Sequence, residues 1–190
     1  MNPVLERLVQ EFTESVVEIH EQHGDATAVV TGESLTSILR FLRDAPELRF
    51  SMLVDLTAVD FLTYPGREDG PRFEVVYHLM APDSHRRVRI KTRIDERDCR
   101  VPSSRELWPV ADWLEREVWD MFGITFTGHP NLKRLLMYPE FQGHPLRKDY
   151  PFNKEQPLVE QRPAYDAMAG VDRGLTLHER SLDVHGGSHP

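Results

Sequence analysis

The sequence predicts an α+β domain: a mixed or antiparallel sheet of about four strands with packed helices, followed by an extended C-terminal segment. Three observations carry that prediction. Apolar residues recur at helical spacing before Pro46 and again after Pro109. Runs rich in β-branched residues between Met52 and Ile94 have strand patterning. From Thr127 to Pro151, two Gly-His-Pro triplets and a Tyr-Pro pair break up either regular element.

Each element follows in order. Pro3 to about His20 places Val4, Leu5, Leu8, Val9, Phe12, Val16 and Ile19 at helical spacing among charged residues, which predicts one amphipathic helix ended by Gly24. Ala26–Thr31 is a short strand. Glu33–Asp44 carries Leu35, Ile38, Leu39 and Leu42, a second amphipathic helix closed by Pro46. Met52–Asp60 is mostly apolar on both faces, as expected of a central strand. Arg72–Met80 puts Phe73, Val75, Tyr77 and Leu79 on one face. In Arg86–Ile94, Val88, Ile90, Thr92 and Ile94 alternate with Arg87, Arg89, Lys91 and Arg93. Ala81-Pro82-Asp83-Ser84 between those two has turn chemistry, so they form an antiparallel hairpin. Ser103 with Glu106 has capping-box form, but Pro109 stops that helix after a turn. Pro109 then opens a longer helix that Gly123 terminates, with Val110, Leu114, Val118, Met121 and Phe122 as its apolar stripe. The domain spans 1–126, an extended partner-binding segment 127–152, and a polar tail, expected to be flexible, 153–190.

Composition narrows the function. A chain of 190 residues, 39% hydrophobic and 28% charged, holds one globular domain with a tail. Its net charge of -8 provides no general attraction to nucleic acid or anionic lipid. The longest stretch free of charged side chains, Met121–Leu132, is broken by Gly, Pro and Asn, so no span crosses a bilayer. Glu6 and Arg7 stand where an export signal needs an apolar core, so export is not expected. Cys99 is the single cysteine, too few for a disulfide, an iron–sulfur cluster or a Cys-type zinc site. There is no P-loop and no G-x-G-x-x-G fingerprint. His20 and His23 could share a helix face, yet two ligands make no metal site. The cationic face of Arg86–Ile94 has no interleaved aromatics and has Glu74, Asp95 and Glu96 nearby, which favours a solvated or protein-facing surface over a nucleic-acid site. Asp112, Arg116 and Asp120, at i, i+4 and i+8, read as an ion-pair ladder that orients the helix.

The segment from Trp108 to Pro151 carries the most information. Glu115-Arg116-Glu117-Val118-Trp119-Asp120-Met121-Phe122-Gly123-Ile124 is followed by Gly128-His129-Pro130-Asn131-Leu132-Lys133-Arg134-Leu135-Leu136, and then by Gly143-His144-Pro145-Leu146-Arg147-Lys148-Asp149-Tyr150-Pro151. These blocks resemble the signature of the thirty-kilodalton peripheral-arm subunit of bacterial NADH:quinone oxidoreductase, respiratory complex I. Upstream, Asp55–Asp60 and Arg72–Leu79 resemble its strand segments, so the resemblance runs from about residue 25 to 152. Lys133 replaces the more usual arginine and Phe141 an expected tryptophan; the tail after Asn153 aligns with nothing.

The resemblance implies a non-catalytic structural subunit with no prosthetic group, the FMN, iron–sulfur clusters and quinone belonging to other subunits. Electrons pass from NADH to quinone in the whole proton-translocating assembly, and the isolated chain is expected to be inactive. The implied partners are the quinone-site subunit, here a separate protein, and neighbouring iron–sulfur subunits of the peripheral arm; nucleic acid and direct membrane insertion are not expected. The implied place is the cytoplasmic side of the cell membrane, held peripherally through the complex. The expected interface consists of Glu115, Arg116, Glu117, Asp120, Phe122 and Gly123 on the helix, His129, Pro130 and Arg134 beyond it, and Gly143, His144, Pro145, Arg147, Lys148, Asp149, Tyr150 and Pro151. Glu115 and Glu117 are expected to face a partner or the turn after Gly123, and His129–Pro151 to lie across the partner rather than on its own sheet. An alternative is a same-fold subunit of a membrane-bound hydrogenase or other quinone-reducing complex; a free-standing nucleic-acid-binding protein is a third.

Overall fold

Helix α1 (Pro3–Glu11) starts from an Asn2 cap whose side chain accepts from the Val4 N–H, with proline at its first position. It ends well short of His20. Phe12 closes it, the Ser15 and Val16 N–H groups turn back to the Phe12 carbonyl, and the chain enters strand β1 (Val16–Gln22). β1 forms a hairpin with β2 (Asp25–Val30) through His23 and Gly24, both at positive φ (58° and 83°). Two consecutive positive φ values make the hairpin turn whose twist suits antiparallel strands. The expected long helix is therefore a helix and a strand. Val16, Val17 and Ile19 are β-branched, and strand pairing overrides the apolar spacing they share with α1.

Helix α2 (Leu35–Asp44) and strands β3 (Met52–Asp60), β4 (Phe73–Ala81) and β5 (Arg86–Ile94) fall close to the predicted bounds. The structure, a computed structural model, describes residues 2–67 and 70–158; residues 159–190 of the expected tail lie outside the described residues. The main sheet has five strands in the order β1-β2-β5-β4-β3, with β2 and β5 parallel and the other neighbours antiparallel. The sheet is thus mixed. β3 is an edge strand, not a central one, and its apolar Met52, Val54 and Val59 remain 48%, 42% and 38% exposed.

All three helices pack on one face of this sheet. Leu5 and Leu8 of α1, Leu35, Ile38, Leu39 and Leu42 of α2, and Phe73, Tyr77 and Ile90 of the sheet are fully buried in one core. A second, two-stranded parallel sheet joins β6 (Arg100–Pro102) to β7 (Thr125–Thr127) and brackets helix α3 (Ala111–Phe122). The region around Ser103 is not a capped helix: the Leu107 and Trp108 N–H groups both return to the Ser104 carbonyl as a turn. Pro109 lies in the turn before α3, and Val110 is exposed rather than part of the apolar stripe. The chain up to Gln156 forms one compact unit, so 127–152 is part of the domain rather than an appendage.

Candidate functional site

The first and last signature blocks meet at the C-terminal end of α3. A helix end leaves its last carbonyls without partners, and here residues far along the chain supply them. His144 Nδ1 donates to the Asp120 carbonyl at 3.0 Å, the Leu146 N–H to Met121 at 3.0 Å, and Arg147 Nε to Phe122 at 2.6 Å. The positive Arg147 also suits the negative end of the helix dipole. Gly123 turns the chain away in the left-handed conformation (φ 76°), and a Cβ there would stand 2.7 Å from the His144 ring and 2.8 Å from Arg147 Nη2. Gly123 is thus required twice, by its backbone angle and by the space it leaves. Burial pushes the His144 imidazole below its ordinary pKa, against the helix carbonyl that favours its charge.

One turn earlier, the Asp120 carboxylate organises the stretch between the blocks. Its Oδ2 accepts from the N–H groups of Leu135, Leu136 and Met137 at 2.8–2.9 Å, and its Oδ1 from Arg134 at 2.6 Å. Burial works to raise this carboxyl, but those donors outweigh it and hold Asp120 below the usual carboxylate range. Arg134 also donates to the carbonyls of Phe141 and Gly143 and lies over the rings of Trp119 and Phe141. Tyr150 stacks on the other side of this cluster, 6.0 Å from Phe141 at 17°.

A second hub ties the last block to the sheet. Arg72, just before β4, makes a bidentate pair with the fully buried Asp60 at the end of β3 (2.8 and 3.0 Å) and another with Asp149 (2.6 and 3.0 Å). Glu96 accepts from the same guanidinium at 2.5 Å, and the Lys148 N–H donates to Asp60 Oδ2 at 2.9 Å. Burial tends to raise Asp60, but Arg72 and the backbone donors hold it low; Arg72 does the same for Asp149. The guanidinium itself is pushed above its ordinary value, chiefly by the hydrogen bonds to Asp60 and Asp149. The resemblance takes in Arg72 and Asp60 only as ends of strand segments, not as part of this site. Their signal was the ion-pair potential of two charged residues at the ends of apolar strands.

Several expectations are corrected. The ladder on α3 does not form: Arg116 donates to the carbonyls of Lys133 and Arg134, Asp112 pairs with Arg105, and Asp120 with Arg134. The extended segment offered better partners than a solvated i, i+4 pair. Glu115 does not face outward; it is fully buried and accepts from the Ser103 and Ser104 hydroxyls and the Ser104 N–H at 2.6–2.8 Å. Burial raises its pKa above the ordinary 4.5 despite those three donors and the nearby His129. The stretch from His129 to Pro151 folds back on the domain through the contacts above, because its prolines bar regular pairing yet leave side chains free to satisfy the helix end.

The signature residues therefore divide. Glu115, Arg116, Asp120, Phe122, Gly123, His129, Arg134, Gly143, His144, Arg147 and Tyr150 hold the fold together, His129 bridging Asn131 and the Asp112 carbonyl with its ring buried. Glu117, Pro130, Lys148 and Pro151 are exposed, Asp149 is half in solvent, and Pro145 is half-buried between. Leu136, Leu146 and Phe152 are exposed nearby, and Trp113 lies outward on α3. Among the described residues, no group of three His, Cys, Asp or Glu side chains is placed to hold a metal ion. Such an arrangement builds a stiff, shaped surface from loop backbone; its polar groups are engaged in structure.

Comparison with known proteins gives a consistent picture. The profile of the family described as "Respiratory-chain NADH dehydrogenase, 30 Kd subunit" matches residues 28–156. The corresponding NADH-quinone oxidoreductase subunit of Roseiflexus sp. (strain RS-1) is 48% identical over 153 residues, covering 80% of this chain and 85% of that protein. Its counterpart in Citrifermentans bemidjiense is 45% identical over 150 residues, covering 79% and 89%. The solved trypsin-resistant fragment (1–134) of Nqo5 is 33% identical with a TM-score of 0.60, covering 68% of this chain and 99% of the fragment. A chain of the membrane-bound sulfane sulfur reductase, an archaeal respiratory membrane complex, shares the fold at a TM-score of 0.60 and 22% identity, covering 91% and 94%.

Proposed function

Because this chain belongs to the family of the 30 Kd subunit of respiratory-chain NADH dehydrogenase, we propose that it is a non-catalytic subunit scaffolding the connecting module beside the quinone-site subunit. Electron transfer from NADH to quinone, and the proton translocation it drives, are then the work of the assembly, with FMN, iron–sulfur clusters and quinone held by other subunits. One observation carries the reading: the 127–152 segment is locked by Asp120, Arg72 and the α3 carbonyls into a fixed surface that presents Leu136, Leu146, Lys148 and Phe152. A preformed surface with exposed apolar and cationic groups limits the ordering cost of a permanent interface. Cys99 supports the same reading, since burial raises its thiol and makes it a poor ligand or nucleophile. No helix among the described residues is long and apolar enough to cross a membrane, which fits peripheral attachment through partners.

The test separates outward from inward residues. Leu146→Asp with Lys148→Glu, in a tagged chain expressed with its native partners, is expected to release the subunit and abolish NADH-to-quinone activity. NADH oxidation by an artificial acceptor should persist, and the melting temperature of the free variant should stay within about 2 °C of the parent, as surface changes usually do. Full assembly and quinone activity in that variant would overturn the reading. The companions recovered with the tagged chain also decide the alternative: a hydrogenase in place of a flavin-binding NADH-oxidising subunit would move this chain to a related complex.

A further inference from the structure

Among the described residues, the helices cover one face of the main sheet and none packs on the other. Strand register arranges that open face in rows across β3, β4 and β5: Met52–Met80–Arg87, Asp55–His78–Arg89, Thr57–Val76–Lys91 and Val59–Glu74–Arg93. Along β3 the side chains are apolar and exposed at Met52, Val54 and Val59, with Asp55 and Thr57 between them. Along β5 they are all cationic. Val29 and Val76 on this face are buried, yet they stand outside the core that the helices close. They are sheltered beneath the long β5 side chains, which reach across to Asp25 from Arg89 (2.7 Å), to Glu74 from Lys91 (2.8 Å) and to Glu18 from Arg93 (2.6 Å).

That neutralisation is incomplete. The Arg87 side chain has no ion-pair or hydrogen-bond partner among the described residues and is exposed. Arg67 Nη2 and Arg93 Nε are buried within 3.7–3.8 Å of Glu74, close enough for attraction but without a hydrogen bond. A buried donor with no acceptor is costly. A cavity lined by Val54, Asp55, His78, Arg87 and Arg89 runs between the apolar and cationic columns.

We propose that this open face docks an amphipathic helix of a neighbouring subunit, its apolar stripe lying along β3 and its acidic flank meeting the β5 cations. The proposal rests on the assembly role argued above and adds a surface that the signature blocks do not touch. Geometry suits a helix. From Met52 to Val59 the β3 column, apolar at both ends, runs about 23 Å at the usual rise of a strand, the length of about 15 helical residues. β5 lies roughly 10 Å from β3, two strand spacings away, and a helix with its side chains is about 10 Å across. A helix seated on β3 and β4 therefore brings one flank over Arg87, Arg89 and Arg93. Charge complementarity selects an acidic occupant: a second copy of this chain would bring the same cationic row against its own.

The experiment uses the intact, purified assembly carrying the tagged full chain. A photo-crosslinking residue replaces Val54 or, separately, Val59, both exposed and therefore tolerant. The expected product joins this chain to one helical segment of another subunit with Asp or Glu along a flank. Arg87→Glu should lower the NaCl concentration that releases half of the subunit by about twofold, and a Lys placed for an acid in the crosslinked helix should restore it. Adducts only to lipid or to a second copy, no adduct at either position, or an unchanged release midpoint in Arg87→Glu overturn the proposal. A chain that co-purifies with its partners but gives no adduct here loses this surface and keeps its assembly role. A chain that brings down no partner loses both.

Discussion

Asp120 and Glu115 lie on the same helix, both fully buried, and their surroundings push them in opposite directions. Asp120 meets a guanidinium and three N–H groups; Glu115 meets only hydroxyls and one N–H. Because Glu115 titrates higher in the folded chain than its ordinary 4.5, its contribution is fully present below that value and lost as pH rises through the folded pKa. Glu115→Gln should remove this loss, since a Gln can accept from Ser104 and donate to a reoriented Ser103 hydroxyl. Denaturant titrations across that window are expected to show parent stability falling with pH relative to the variant; parallel curves would show Glu115 to be unperturbed. Asp120 has the opposite sign: its depressed pKa contributes stability above the ordinary 3.8 that is lost as pH falls through the folded value. Asp120→Asn should cost about 3 kcal/mol at neutral pH, the scale for breaking a buried charge pair, measured as a shift of the denaturation midpoint at unchanged m-value. A cost below about 1 kcal/mol would mean that the Arg134 contact is replaced by water.

Helix α3 is completed by a segment that sequence distance hides from it. Gly123→Ala should strain the left-handed turn and drive a methyl into the His144 ring and Arg147, and limited proteolysis should then cut within 144–152 while α3 stays protected. His144→Ala removes the same obstruction, so the two substitutions should be non-additive in a double-mutant cycle; simple additivity would separate the turn from the ring. The helix itself was legible. Its stripe from Leu114 to Phe122 and the terminating Gly123 could be read directly, as could the β4–β5 hairpin from strict alternation. The β1 strand was not, because Val16 and Ile19 sit at spacings that suit a helix continuing from Leu8 as well as a strand. β6 and β7 are only three residues each and depend on pairing with one another, which no local pattern announces. The site was half legible: its blocks stood out as motifs, but their inward roles, and the part played by Arg72 and Asp60, arise only from long-range pairing.

Across the whole molecule, protection should be graded rather than split between sheet and segment. Amide exchange is expected to be slowest in β4 and β5, which are paired on both sides, and slow at Leu135–Met137, Leu146 and Lys148, whose N–H groups are held by α3 or Asp60. Glu140 and Asn153, with no such bond from their N–H groups among the described residues, should exchange fast in the free chain. Uniformly fast exchange from 129 to 151 would show that the closure forms only in the complex. The closure of α3 also has a consequence for biosynthesis. The helix ends at Phe122, but the side chain that caps that carbonyl belongs to Arg147. At a translation rate of about 5–20 residues per second, the ribosome adds that stretch in roughly 1–5 seconds, during which the nascent sheet has its strands but no finished docking surface. Chains stalled with residue 140 outside the exit tunnel should be cut near α3, and chains stalled beyond residue 156 should resist. The order of synthesis thus acts as a timer, so that a nascent subunit becomes competent to meet its partners only after its own sheet is in place.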